Sequence, residues 1–91
     1  MKLNHDCVRD VLLYLEDNLN LGQKIKFDLN TDIALTSKYS KEDIIYSSLK
    51  LLEAGFINAK ACDTVQPYGP VVIEIASITY NGHLFLDSIR N

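Results

Sequence analysis

Four of the nine basic residues in this 91-residue chain, Lys24, Lys26, Lys38 and Lys41, fall within eighteen positions. Ammonium groups gathered on one surface hold phosphates by displacing their counterions, so the grouping points to duplex DNA. Downstream, "KEDIIYSSLKLLEAGF" adds Ser47 and Lys50, a hydroxyl and an ammonium that could reach base edges or phosphates from the outward side of a helix. The same stretch carries Tyr46, and a second tyrosine, Tyr68, stands among prolines and a glycine in "QPYGP". An exposed tyrosine offers a large contact area at little entropic cost, which suits protein contact equally well. Two uses are thus written side by side: a DNA surface on Lys24, Lys26, Lys38, Lys41, Ser47 and Lys50, and a partner or self-association surface on Tyr46 and Tyr68.

Charge argues against the first. The chain carries a net −3, the wrong overall sign for phosphate binding, although a local basic patch can act on an acidic protein. Asp28 and Asp32 dilute the lysine group, while Glu42 and Asp43 open the helix that would enter a groove. Catalysis has weaker support still. His5 and His83 fall on different expected helices, Ser47 and Ser48 have no paired base, and no glycine-rich phosphate loop is present. No enzyme, cofactor or small-molecule substrate is expected. Cys7 and Cys62 lie far apart with no metal-ligand spacing and read as reduced, buried thiols.

The elements that must place these residues have legible ends. An apolar stripe of Val8, Val11, Leu12, Leu15 and Leu19 predicts a helix from His5 to Leu19, capped by Asn4, with Arg9, Asp10, Glu16 and Asp17 outward and Gly22 available for a positive φ. Ile25, Phe27 and Leu29 alternate with Lys24, Lys26 and Asp28, a half-buried strand. Asn30 to Lys38 reads equally well as a short helix capped at Thr31 or as an irregular turn.

The next helix has both boundaries marked. Ser40 with Asp43 forms a capping box, Tyr39 packs on Ile44 as a staple, and Gly55 stops the helix with Phe56 folded over Leu51. Taking Ile45, Leu49 and Leu52 as buried leaves Glu42, Asp43, Tyr46, Ser47 and Lys50 outward. "FINAKAC" and "VVIEIAS" are strands of a hairpin with "DTVQPYGP" as its tip. Thr79 then caps a last helix with Phe85, Leu86, Ile89 and Gly82 on one side. The reading is one α+β domain over residues 1–91: a helical core and a small three-stranded antiparallel sheet, the winged-helix-like order, with the hairpin as wing.

"LKLLEAGFI" resembles the recognition-helix end of many bacterial winged-helix proteins, and "ITYNGHLFLDSIR" resembles the segment after the wing in the same group. Together with "MKLNHDCVRDVLLYLE", they make the chain similar to the small bacterial and prophage proteins of the domain-of-unknown-function family numbered 2513. That pattern has Trp where Tyr80 stands and a His near Ser47 and Ser48. The resemblance implies a winged-helix-like fold in a phage or mobile-element setting and carries no activity with it. The expected function is a DNA-associated regulator, or alternatively a protein-contact or homodimerisation module that leaves DNA alone. The interrupted apolar run at the N-terminus lacks the pattern of a signal peptide, and no segment is apolar enough for a membrane span. A cytoplasmic protein with no membrane partner is expected.

Overall fold

A computed structural model describes residues 2–65 and 69–90, with the side chains of 2–61 and 72–90. Along the chain run α1 (His5–Asn18), β1 (Ile25–Phe27), a 3₁₀ turn (Ala34–Ser37), α2 (Lys41–Glu53), β2 (Ile57–Val65), β3 (Gly69–Ile78) and α3 (Tyr80–Ile89). The strands form one antiparallel sheet in the order β1-β3-β2. Three helices packed on a three-stranded antiparallel sheet are the α+β, winged-helix-like arrangement that the sequence implies. No described helix is long and apolar enough to cross a membrane.

Each helix begins at a side chain that accepts an otherwise unpaired amide. Asn4 Oδ1 accepts from the Cys7 amide at 3.1 Å, Ser40 Oγ from Asp43 at 3.1 Å, and Thr79 Oγ1 from Gly82 at 2.9 Å. The end of α2 is equally well defined. Gly55 takes φ +78°, the Phe56 amide donates to Leu51 O at 2.9 Å and the Gly55 amide to Leu52 O at 3.1 Å, the paired bonds of a Schellman stop. Gly22 also adopts a positive φ, +84°, after α1 ends.

The core lies between the helices and one sheet face. Cys7, Val8, Val11, Leu12 and Leu15 of α1 meet Ile44, Ile45 and Leu51 of α2, Phe27, Ile57, Ile73 and Ile75 of the sheet, and Leu86 of α3. Tyr39 and Ile44, the two residues of the expected staple, both belong to this cluster.

Three local expectations change, and the open reading of Asn30 to Lys38 is resolved. β1 stops at Phe27 and Leu29 is exposed, because Asp28 turns the chain. Its Oδ1 accepts from the Asn30 amide at 2.8 Å, its carbonyl from the Thr31 amide at 3.2 Å, and its own amide donates to Thr31 Oγ1 at 2.8 Å. Between Asn30 and Lys38 only the four-residue 3₁₀ turn forms, braced by Thr36. Its Oγ1 accepts from the Ile33 amide at 3.1 Å and donates to the Ile33 carbonyl at 2.6 Å.

The hairpin strands run further than expected, to Val65 and back from Gly69, so that Pro70 pairs with Asp63 in place of lying in a loop. Register shifts on either side of Asp63 relax the ladder there, which suits a residue without an amide hydrogen. α2 is also rotated relative to the expected face: Ser47 and Ser48 are buried, while Leu49 and Leu52 are only half-buried.

Candidate functional site

α2 presents its outward row as Glu42, Tyr46, Lys50 and Glu53, with Leu49 half-buried at its margin. Positions 42, 46, 50 and 53 recur at four- and three-residue steps, so they share one helical stripe. Tyr46 stands apart from the core cluster. Its ring lies under the Lys50 ammonium, 5.2 Å from Nζ to the centroid, and Lys50 Nζ donates to Glu53 Oε2 at 3.0 Å. The Glu53 carboxylate that accepts its hydrogen bond raises the Lys50 pKa, with a smaller contribution from Tyr46. The stripe therefore holds an aromatic ring, one ammonium already engaged by a carboxylate, and a second carboxylate at Glu42.

Ser47, expected outward, is 1% exposed. Its hydroxyl favours the ionised form of the Cys7 thiol of α1, against the stronger effect of burial. Ser48 is satisfied within its own helix, its Oγ donating to Ile44 O at 2.8 Å. Burial raises the Cys7 pKa despite the Ser47 contact, which keeps the thiol protonated and poorly nucleophilic.

The lysines stand on different elements. Lys26 lies between Ile25 and Phe27 in β1, so its side chain leaves the sheet on the face opposite the core, away from α2. There it sits across from Glu74, which is flanked on the other side by Lys60 of β2. Lys26 Nζ also reaches Asp28 Oδ2 at 3.9 Å. Lys24 is exposed just before the strand and Lys41 is half-buried at the first turn of α2; neither makes an ion pair with a described residue.

Lys38 is taken up elsewhere, in a junction that sequence reasoning missed. Asp10, expected on the outward side of α1, is half-buried and accepts from Tyr39 Oη at 2.6 Å, Lys38 Nζ at 3.0 Å and Arg9 Nε at 3.2 Å. Burial works against its ionisation, but the three donors outweigh burial and hold the carboxyl below the usual carboxylate range. A Tyr-OH close after a Lys, with an Asp on the preceding helix, was the only available signal, and it has no fixed spacing. Tyr68 lies outside the described residues.

A second junction closes the other end of α2. Thr79, the cap of α3, donates its amide to Phe56 O at 3.0 Å and its hydroxyl to Gly55 O at 2.7 Å. Gly82 follows so closely that a Cβ placed there would stand 1.9 Å from Phe56 O. Phe56 and Phe85 stack beside this contact, ring centroids 4.5 Å apart. At its far end α3 returns to α1 through a two-pronged bond from the Arg90 guanidinium to Glu16, at 3.0 and 2.7 Å.

A family model described as "Hypothetical protein (DUF2513)" matches residues 2–91, and the chain belongs to that family. No curated protein and no solved structure matches it significantly.

Proposed function

We propose that this family member is a non-catalytic protein-contact module, using the outward stripe of α2 on a winged-helix-like scaffold. The observation that carries the reading is the composition of that stripe. Tyr46 is half-buried and lies outside the core cluster, Lys50 is held by Glu53, and Glu42 and Glu53 remain as exposed carboxylates that would meet DNA phosphates unfavourably. Direct groove reading also needs a preceding helix braced across the backbone, a position taken here by a four-residue 3₁₀ turn. The burial of Ser47, Ser48 and Cys7, with Ser48 hydrogen-bonded within its own helix and the Cys7 pKa raised by burial, supports a role without catalysis.

A second reading, a DNA-associated regulator, draws on exposed Lys24, Lys26 and Lys60 and on Lys41 at the start of α2. Binding to a mixed duplex at graded ionic strength separates the two. The protein-contact reading expects no retention at low salt beyond that of an acidic control protein. Retention that falls steeply with salt and disappears in the Lys26→Glu, Lys41→Glu double variant would replace it with the regulator.

A further inference from the structure

Building on the protein-contact reading of α2, we propose that the partner is a second copy of this chain, docked through the same stripe with the two α2 helices antiparallel about a two-fold axis at Tyr46. A two-fold contact is self-complementary: residues equally far before and after the axis oppose one another. Glu42 and Lys50 lie four positions on either side of Tyr46. The axis therefore sets Glu42 of each copy against Lys50 of the other, twice over, and lays the two Tyr46 rings together. Four residues span about 6 Å of helix, and packed helices lie about 8–10 Å apart, so a carboxylate and an ammonium in these positions are within reach.

Charge also selects the orientation. A parallel pairing would oppose Glu42 to Glu42 and Lys50 to Lys50, whereas the antiparallel one opposes unlike charges only. Lys50 need not abandon Glu53, because an ammonium has three hydrogens and can serve a carboxylate on each side. An aromatic centre with a charged rim is the usual anatomy of a protein interface.

Sedimentation equilibrium over a dilution series at low salt tests this on the full chain. The expected result is a reversible dimer. Glu42→Lys and Lys50→Glu each place like charges opposite one another twice, and each should weaken the dimer by about tenfold or more; the double exchange restores opposite charges and recovers most of the affinity. In a Cys62→Ser background, Tyr46→Cys should form a covalent dimer on mild oxidation, since the axis brings that position against itself. These positions lie on the surface of α2, and urea unfolding of each variant confirms that the fold persists.

A wild-type chain that stays monomeric throughout the series, or a double exchange no stronger than the single variants, overturns the dimer. If that chain also ignores DNA, the dimer falls while the protein-contact reading stands. Salt-sensitive DNA retention removed by Lys26→Glu with Lys41→Glu overturns both.

Discussion

The two ends of α2 are joined to the rest of the molecule by different physics. At its C-terminal end the junction rests on two backbone carbonyls: Phe56 O accepts from the Thr79 amide and Gly55 O from the Thr79 hydroxyl, and Gly82 has no room for a side chain. At its N-terminal end it is made of side chains, with Asp10 collecting Tyr39, Lys38 and Arg9. Backbone contacts cannot rotate away, and their strength does not depend on protonation. Side-chain contacts can adjust, and one that centres on a carboxylate depends on pH. The first junction fixes where α3 sits; the second orients the start of α2 and so the stripe that carries Tyr46.

The sharpest way to break this contrast is Gly82→Ala. The new Cβ would meet Phe56 O at 1.9 Å and the Ile78 Cγ2 at 2.8 Å, and a carbonyl fixed by the Thr79 amide has nowhere to yield. Over-packing of this severity should cost about 3 kcal/mol. Urea unfolding would show a lower midpoint with the slope retained, and the loss should be the same from pH 4 to pH 8 because no titrating group is involved. A loss under about 1 kcal/mol would mean that α3 can shift freely and that the junction is not rigid.

The next largest effect belongs to Asp10→Asn. Replacing the carboxylate weakens three charge-assisted bonds and should cost about 2 kcal/mol at neutral pH. Here the pH dependence is the discriminating measurement. The Asp10 carboxyl is held below its ordinary value in the folded chain. Its contribution is therefore fully present above the unfolded carboxylate pKa and is lost as pH falls through the lower folded value. Wild type should lose stability through that acid window, and Asp10→Asn should flatten that part of the curve while leaving the Gly82→Ala offset unchanged.

The two junctions also differ in how far the sequence disclosed them. The glycine end was legible because Gly55, Thr79 and Gly82 each do something only their residue type does well: a positive φ, a hydroxyl cap, an absent Cβ. Local spacing then placed all three. Asp10 was misplaced because its partners Lys38 and Tyr39 come from another element, and a periodicity argument on α1 alone puts a charged residue in water. Ser47 was misplaced for a related reason. Hydrophobic counting assigns a serine outward, and its effect on the Cys7 thiol is visible only once α1 and α2 are packed. The early end of β1 was within reach of the sequence, since Asp28, Asn30 and Thr31 are turn formers that outcompete the apolar alternation at Leu29.

The smallest effect decides what within the Asp10 junction matters. Lys38 and Tyr39 both donate to the same oxygen, Oδ2, at 3.0 and 2.6 Å. Lys38 is mostly exposed, and its ammonium also lies 5.4 Å over the Tyr39 ring. The tyrosine hydroxyl is fixed by a buried ring, while the lysine reaches in from solvent through four flexible carbons. An exposed ammonium beside a carboxylate contributes little, so Lys38→Met, which keeps the stem against Tyr39 and removes the charge, should lower the urea midpoint only slightly at low salt. At about 1 M salt, where screening acts over roughly 3 Å, the difference from wild type should disappear. Tyr39→Phe should retain its larger cost under the same conditions, because the bond it deletes is short and shielded. If Lys38→Met proved as damaging as Asp10→Asn and equally so in high salt, the ammonium would be the fixing contact, and Lys38 could not be released to any phosphate without loosening the start of α2.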